Sequence, residues 1–223
     1  MPSFIIGGCA YRSMVHTAHA SSVAGFADYC ARSLSTVMHG IVYQHTSNLP
    51  QGRCLWLRDR INPLRSEPIA DYAVSVDSDT AFSAEPLALS LTRVCGDIAI
   101  GIAPVIRDSG RGISLNIFHG PGEPLAVSAC GAGYPELWAG GFGLVVFNLK
   151  WFRHNWRFPY PEQFGTELDY LNQGEDIQFC RSVVKRGGKI IPLWVPTAHY
   201  DSSGNRVIGG KLDYENGRMI CDR

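Results

Sequence analysis

Short apolar runs alternate with helix-like segments along the first half of the chain. The apolar runs predict buried strands at residues 4–8, 35–43, 72–76 and 97–106. Apolar residues at helical spacing predict helices at 18–32, 54–64 and 85–94, and polar residues with a proline predict a loop at 48–52. Strands that alternate with helices are typical of an α/β fold with a mainly parallel sheet.

The second half of the chain has a less regular pattern. Residues 107–140 are rich in glycine and proline around one strand-like stretch, and residues 155–174 resemble an aromatic loop that would suit a lid. The predicted elements here are strands at 113–118, 143–148 and 189–195 and a helix at 175–186. The helix is the best defined, because it ends at Gly187-Gly188.

Composition limits the kind of protein that this pattern builds. The chain has 223 residues, which suits one domain, and 45% hydrophobic with 18% charged residues, which is typical of a globular protein. Twenty basic residues balance twenty acidic ones. The formal net charge of zero argues against an overall attraction to nucleic acid or anionic lipid, although a local basic patch is compatible with it.

The cysteines and the N-terminal residues indicate the cellular compartment in which we expect the protein. The seven cysteines are scattered and contain no C-x-x-C pair, which argues against a disulfide framework or a structural zinc site and favours reduced thiols. The N-terminus lacks the basic and apolar regions of a signal peptide. No apolar run approaches the roughly 18 residues that a membrane span needs. We therefore expect a cytoplasmic protein without a membrane span.

Two aspartates follow the apolar strand at 72–76. Asp77 and Asp79 flank Ser78, and ligands of open α/β sheets bind beyond the carboxyl ends of the strands. Two carboxylates at i and i+2 can approach one hard cation, which in turn can neutralise a diphosphate. Asp-Ser-Asp-Thr is also good turn chemistry, so the motif by itself leaves a simple turn open.

Three further residues are candidates for chemistry. Glu175 and Asp176 open the predicted helix, where acids complement the helix dipole but can also serve as a general base. His199 follows the last predicted strand, and a neutral imidazole there can complete the coordination of a manganese-like ion. A lone loop histidine is more often an ordinary surface residue.

The order of these motifs resembles the GT-A glycosyltransferases, and in particular small, phage-type members of that family. The resemblance covers about residues 3–201. It rests on the N-terminal IIGGCAYRSMVHTAHASSVAGF, CLWLRDRIN (54–62), YAVSVDSDTAF (72–82), WAGGFGLVVFN (138–148), GEDIQFCRSVVKRGGKI (174–190) and AHYD (198–201). It implies a single GT-A domain over 1–223, with a nucleotide-sugar-binding half at about 1–106 and an acceptor and catalytic half at about 107–223.

The resemblance also implies a role for each matching residue. The metal ligands would be Asp77, Asp79 and His199, with Asp79 the direct ligand, and the catalytic base would be Asp176 with Glu175 beside it. Donor-binding positions would be Ala10, Tyr11 and Arg12 after the first strand, Ser78 in the motif, and Gly140, Gly141 and Phe142 in the turn that lines the donor sugar and acceptor cleft. Arg58 would reach the diphosphate, or it lies on a solvated helix face.

These roles describe a metal-dependent glycosyltransferase that uses Mn²⁺ or Mg²⁺ and a nucleotide-sugar, with UDP as first choice. It would invert the anomeric configuration, and retention, which needs another arrangement at the anomeric carbon, is the alternative. The acceptor would be a hydroxymethylated pyrimidine in DNA or a hydroxyl of a glycan or protein. The basic and aromatic run at 150–157 would meet a phosphate backbone or a saccharide, or form a solvated helix. A nucleotidyltransferase and a non-catalytic nucleotide-sugar-binding module are the alternatives.

Overall fold

The computed structural model describes most of the chain. The described residues are 2–11, 15–32, 37–46, 49–61, 70–92, 94, 96–101, 104–107, 112–121, 123–126, 136–155, 174–201, 203, 205–213 and 218–222. Arg12 and nearly all of the proposed lid at 155–174 lie outside these ranges.

The secondary structure elements follow one another in an α/β order. The first half contains β1 (Ser3–Tyr11), α1 (Thr17–Arg32), β2 (Val37–Thr46), α2 (Leu49–Leu55), a π-helical segment (Trp56–Ile61), β3 (Tyr72–Val76), β4 (Thr80–Phe82), α3 (Ala84–Leu91) and β5 (Ile98–Gly101). The second half contains β6 (Pro104–Arg107), β7 (Gly112–Gly120), β8 (Glu123–Ala126), β9 (Ala139–Gly140), β10 (Leu144–Asn148), α4 (Leu149–Asn155), α5 (Glu175–Lys185), β11 (Ile190–Leu193), β12 (Thr197–Tyr200), β13 (Arg206–Asp213) and β14 (Arg218–Asp222).

A six-stranded sheet forms the centre of the structure, in the order β2-β1-β3-β10-β5-β11. β1 runs parallel to both β2 and β3, and β11 runs parallel to β5. β10 is antiparallel to both of its neighbours, β3 and β5. All strands of this sheet except β10 therefore run in one direction, which confirms the predicted mainly parallel sheet.

Helices cover both faces of the central sheet. Successive residues of β1 point to opposite faces, so that Phe4 and Ile6 join one apolar core while Ile5 joins the other. The first core contains Phe26 of α1 together with side chains of α3. The second contains the π-helical segment, α4 and α5, with Phe179 at its centre. The fold class is therefore the predicted α/β class, and helices lie on both faces of its sheet.

Two smaller sheets flank the central one. The first has the order β4-β12-β13-β14, and all of its pairs are antiparallel. The second has β7 at its centre, paired with β6, β8 and β9. The first of these sheets is important for the site, because β4 starts directly after Asp79 and β12 contains His199.

The predicted loop at 48–52 is wrong over residues 49–52, which form the start of α2. Pro50 stands in the first turn, where a missing backbone N–H leaves no hydrogen bond unmade. A Cβ at Gly52 would lie 2.5 Å from Cγ2 of Thr46, so glycine permits the close approach of α2 to β2. The helix predicted from residue 54 thus begins earlier, and it continues to residue 61 as the π-helical segment.

The strand predicted at 97–106 is also wrong as a single strand. β5 pairs in the central sheet, whereas β6 pairs with β7 in another sheet. The segment near 113–118 is part of the longer β7, and the last predicted strand ends at Leu193. β3 matches its predicted range, and α1 and α5 differ from theirs by one residue. None of the helices in the described part of the chain is long and apolar enough to cross a bilayer.

Candidate active site

The candidate site lies at the carboxyl ends of β1 and β3. β1 and β3 are parallel neighbours, and Asp77 follows the last residue of β3. Gly8 has a φ of 146°, and a Cβ there would lie 2.4 Å from the carbonyl oxygen of Val76. Glycine is therefore required for the close approach of these two strand ends. Ala10 and Tyr11 end β1 at this edge of the sheet, and Ala10 is fully buried.

The backbone of the Asp-Ser-Asp turn is held from within and from the neighbouring strand. The N–H of Thr80 donates to the carbonyl of Asp77 at 2.9 Å, which closes the turn. The N–H of Asp77 donates to the carbonyl of Gly143 at 2.9 Å, just before β10. The stretch is a turn, as its sequence alone indicates, and the same turn presents both carboxylates at the strand end.

Two more backbone hydrogen bonds join the turn to segments that are distant from it in the sequence. The N–H of His16 donates to the carbonyl of Ser78 at 2.8 Å, and the N–H of Tyr200 donates to that of Asp79 at 2.9 Å. The rings of His16 and Tyr200 stack on each other with centroids 4.3 Å apart. Ser78 thus contacts the segment that follows β1, where the resemblance places the donor nucleotide.

Asp79 and His199 form a direct pair. The antiparallel pairing of β4 with β12 places His199 opposite Thr80, so that His199 Nε2 lies 3.0 Å from Asp79 Oδ2. Burial opposes the ionisation of Asp79, but the hydrogen bond and charge of His199 hold the pKa of Asp79 below its ordinary value. The same hydrogen bond raises the pKa of His199. Both side chains remain about half exposed and accessible to a ligand.

Asp77 faces a buried cation that was absent from the sequence predictions. Arg53 Nη2 donates to Oδ1 of Asp77 at 2.9 Å and to Oδ2 at 3.0 Å. Nη1 of the same guanidinium is paired with Oε1 of Glu175. The guanidinium lies over the ring of Phe142, 5.6 Å from its centroid. Arg53 thus joins the end of β3 to the start of α5.

A signal for Arg53 exists in the sequence. Arg53 precedes Trp56 and Leu57 by three and four residues, and all three side chains are buried in the structure. A charged residue on the apolar face of a helix requires a buried partner of opposite charge. Arg58, the arginine that we predicted for the diphosphate, instead pairs with the adjacent Asp59, and its side chain is 40% exposed.

Asp176 lies in the first turn of α5, beside Glu175. Burial raises the pKa of Asp176, while Arg53 and backbone hydrogen bonds from Ile177 and Phe142 act in the opposite direction. Glu175 is itself buried against Arg53, so it is not exposed to an acceptor. The structure therefore separates the two neighbouring acids: Glu175 is buried with its cation, and Asp176 is the partly buried carboxylate with the raised pKa.

The predicted glycine turn borders Asp176. A Cβ on Gly141 would lie 3.3 Å from Oδ2 of Asp176, and a Cβ on Gly174 would lie 2.8 Å from Oδ1. Gly141 is fixed by its N–H, which donates to the carbonyl of Asn116 at 2.8 Å. Gly140 and the ring of Phe142 are buried in the core, so the backbone at Gly141, rather than the Phe142 side chain, lines the site.

Two of the three predicted metal ligands fit a divalent cation. Within the described ranges, no group of three or more His, Cys, Asp and Glu side chains is placed to hold a metal ion. Asp79 and His199 nevertheless offer an oxygen and a nitrogen side by side, and phosphate-bound Mg²⁺-type ions need only one or two protein carboxylates. These two residues fit such an ion when His199 is neutral and the ion replaces the hydrogen bond between them. Asp77, the third predicted ligand, is engaged by Arg53.

Comparisons with known proteins support the fold and not the activity. No family model matches the chain, and no curated protein matches its sequence. A197 from STIV shares 12% identity with a TM-score of 0.52, over 100% of this chain and 95% of that one, and this likeness shows the fold alone.

Two other solved structures are less similar. A nucleoside-diphosphate-sugar pyrophosphorylase from Vibrio cholerae RC9 has 15% identity and a TM-score of 0.45 over 86% of this chain and 91% of that one. The galactosyltransferase LgtC has 10% identity and a TM-score of 0.39 over 85% and 72%. Similarity at this level does not establish a shared activity.

Proposed function

We propose that this protein is a metal-dependent glycosyltransferase that transfers a sugar from a nucleotide-diphosphate sugar, with UDP as first choice, to an acceptor hydroxyl. The observation that carries the proposal is the Asp79–His199 pair, drawn from positions 120 residues apart to 3.0 Å. This pair lies at the carboxyl edge of the sheet, where α/β folds bind their ligands. The carboxylate of Asp176, with its raised pKa, shares the neighbouring Arg53 with Asp77.

Asp79 and His199 would hold the cation, Mn²⁺ or Mg²⁺, together with oxygens of the donor diphosphate. When bound, the cation would supply positive charge to stabilise the diphosphate leaving group. Asp77 keeps both of its carboxylate oxygens on Arg53 and contributes negative charge beside the pair. As a ligand, Asp77 would have to leave Arg53, so Asp79 is the carboxylate that we assign to the cation.

Asp176 would act as the general base. Its carboxylate accepts the proton of the acceptor hydroxyl while the hydroxyl oxygen forms a bond to the anomeric carbon. The bond between that carbon and the diphosphate oxygen breaks, and its electron pair stays on the diphosphate. A single displacement of this kind inverts the anomeric configuration. A raised pKa suits a base that has to take up a proton near neutral pH.

Arg53 and Glu175 would position these groups without contacting the substrate. Arg53 is 5% exposed, and its two terminal nitrogens are bonded to Asp77 and Glu175. The ion pairs fix the start of α5 relative to the end of β3. They therefore set the separation between Asp176, which takes the proton, and the turn that faces the donor.

The first experiment measures thermal stability of the protein with a panel of nucleotide-sugars, with and without Mn²⁺. We expect a Mn²⁺-dependent stabilisation by one nucleotide-sugar, since a ligand that binds only the folded state stabilises it. Asp79→Asn and His199→Ala should remove it, whereas His39→Ala, at an exposed position of β2, should keep it. A stabilisation that survives both site variants would contradict the assignment of the pair.

Product analysis separates the alternatives. A glycosyltransferase releases a nucleoside diphosphate when an acceptor is added, whereas a nucleotidyltransferase releases pyrophosphate from a nucleoside triphosphate. A binding module is stabilised by the nucleotide-sugar but releases neither product. Release of pyrophosphate, or binding without turnover for every acceptor hydroxyl tested, would replace the glycosyltransferase proposal with the corresponding alternative.

A further inference from the structure

A groove of about 480 Å³ lies on the outward face of α5, outside the site described above. Its lining residues combine an aromatic ring, two cations, two polar groups and one valine: Trp138, Gln178, Arg181, Ser182, Val184 and Lys185. Gln178, Arg181, Ser182 and Lys185 follow one another at helical spacing, so they share one face of the helix. We call this surface the α5 groove.

The α5 groove has one aromatic wall. Trp138 precedes β9, and it packs against the apolar core while it still lines the groove. The guanidinium of Arg181 lies over its ring, 5.7 Å from the centroid. A guanidinium over an indole presents a flat, cationic surface, which is attractive to a base or to a phosphate.

Further basic side chains are exposed on α4 and at the end of α5. Lys150, Arg153 and His154 on α4 are exposed, as is Arg186 at the end of α5. α4 lies against the end of α5, because a Cβ on Gly188 would be 2.6 Å from the Trp151 ring. α4 contains no acidic residue, and α5 contains none after its first turn. A chain of zero net charge thus concentrates positive charge on these two helices.

The α5 groove starts close to the proposed base. Gln178 is two residues from Asp176, about 3 Å along the helix axis, but the two side chains point to different faces of α5. The groove runs from Gln178 to Lys185, about 10 Å of helix. A bound chain would therefore be held on the outer face of α5, and Asp176 would lie on a different face of the same helix.

We propose that the α5 groove binds a single-stranded nucleic acid segment. Proteins that bind single strands combine a cationic groove for the phosphates with aromatic surfaces for the bases, and the groove has both. Arg181 and Lys185 face the phosphates, Trp138 with Arg181 supports one base, and Gln178 and Ser182 donate to its edge or to the sugar. Its short length fits one or two nucleotides and agrees with the zero formal net charge of the chain.

Charge complementarity argues for this ligand over a neutral glycan. None of the described lining residues is acidic, whereas carboxylates would be suitable acceptors for the hydroxyls of a neutral sugar. Binding of a strand to the α5 groove does not require that the protein transfers a sugar. The inference rests on the proposed function only where the bound strand is identified with the acceptor.

The test is fluorescence anisotropy of a labelled single-stranded oligonucleotide with the full chain, without donor or metal, over a series of salt concentrations. We expect Arg181→Gln and Lys185→Gln each to weaken binding at least several-fold and to reduce the salt slope by about 0.7 for each phosphate that the variant no longer neutralises. Trp138→Leu should weaken binding by about tenfold, because the base can no longer stack on the indole. Arg32→Gln, which removes the same charge from an exposed position on α1, should bind like the unchanged protein.

The possible outcomes distinguish the site from its ligand, and the groove from the donor site. Equal binding by the Arg181, Lys185 and Arg32 variants would overturn the groove as the site. Equal or tighter binding of the same sequence as a duplex, or of a sulfated oligosaccharide of similar charge, would overturn the single-stranded ligand. Loss of oligonucleotide binding in the Arg181 variant, with unchanged stabilisation by the nucleotide-sugar, would support the groove independently of the donor site. If Asp79→Asn loses the stabilisation by the nucleotide-sugar but still binds the oligonucleotide, the result bears on the proposed function and leaves the groove assignment intact.

Discussion

Arg53 and Asp77 form a forked ion pair at the end of β3, in which Nη2 of the arginine donates to both carboxylate oxygens at 2.9 and 3.0 Å. The other terminal nitrogen is paired with Glu175, which lies 122 positions further along the chain. One buried side chain therefore connects the Asp77-Ser78-Asp79 turn to the helix that presents Asp176. The separation of the two halves of the site depends on this cation.

Replacement of Arg53 by methionine should destabilise the protein by about 3–5 kcal/mol, because it leaves two carboxylates near the core without their cation. Urea unfolding followed by circular dichroism measures this change. Arg58→Met is the matched control, because Arg58 is 40% exposed and paired with its neighbour Asp59. We expect it to change stability by less than about 0.5 kcal/mol.

If Arg53→Met and Arg58→Met destabilise the protein equally, the buried ion pairs of Arg53 do not have the stabilising role assigned to them. Arg53→Lys offers a further check on its geometry. A lysine keeps the charge but cannot reach two carboxylates with a planar fork, so we expect a stability between that of the methionine variant and that of the unchanged protein.

Exchange of Asp176 for asparagine should lower kcat by about 10²–10⁴-fold, the usual range for the loss of a general base. The dissociation constant of the nucleotide-sugar should change less than about twofold, since Asp176 does not touch the donor in the proposed reaction. Initial rates and calorimetric titration measure the two quantities. Full activity of this variant would refute the base assignment.

Gly141→Ala tests the position of the Asp176 carboxylate without removing it. The new Cβ would lie 3.3 Å from Oδ2 of Asp176, so the carboxylate has to move by a few tenths of an ångström. We expect a several-fold lower kcat, because small displacements of catalytic groups are costly. Gly143→Ala is the control, since its Cβ meets Thr80 Oγ1 at an ordinary 3.6 Å. If Gly143→Ala lowers kcat and Gly141→Ala does not, the contact between Gly141 and Asp176 is not the one on which the rate depends.

Gly7→Ala should prevent stable folding. A Cβ at Gly7 would lie 1.7 Å from the carbonyl oxygen of Val42, so β1 and β2 could not stay paired. Gly40→Ala, on the facing strand, meets nothing within 4 Å and should be neutral or stabilising by up to about 1 kcal/mol. Soluble yield and melting temperature compare the two. A Gly7 variant that melts like the unchanged protein would show that β1 and β2 are differently paired.

The buried thiols should resist alkylation in the native protein. Burial raises the pKa of Cys9 to about 12, against the opposing charge of Arg53, and burial also raises the pKa of Cys180. The reactive thiolate is therefore scarce at mildly alkaline pH. We expect iodoacetamide and mass spectrometry to find both thiols unmodified until denaturant is added. Native labelling of Cys9 at the rate of the denatured chain would mean that the end of β1 is open.

The sequence predicted the parts of the fold in which local patterns and burial agree. β3 is apolar except at Ser75 because both of its faces are covered, and α5 has an apolar stripe and a glycine stop. The same local signals located Asp77, Asp79 and Asp176 at the ends of these elements. The position of a residue at the end of a strand or helix can be predicted locally, because it depends on only a few neighbouring residues.

The remaining features depend on contacts between distant segments. The split of residues 97–106 between two sheets arises from partners at β10 and β7, which no local pattern identifies. The pairing of β4 with β12 brings His199 to Asp79, and this followed only from a family resemblance. Arg53 was missed because its partners are 24 and 122 residues away, although its place on an apolar helix face was a visible signal.

The pairing of β12 with β4 has a further consequence for local unfolding. β12 supplies both the imidazole beside Asp79 and, through Tyr200, a backbone hydrogen bond to the carbonyl of Asp79. If β12 separates from β4, both hydrogen bonds to the aspartate break in the same event. Any ligand that requires the closed arrangement must then disfavour this opening, because binding and opening compete for the same state. Amide hydrogen exchange in β12 would thereby report the occupancy of a site whose Asp79 carboxylate lies 120 residues earlier in the chain than His199.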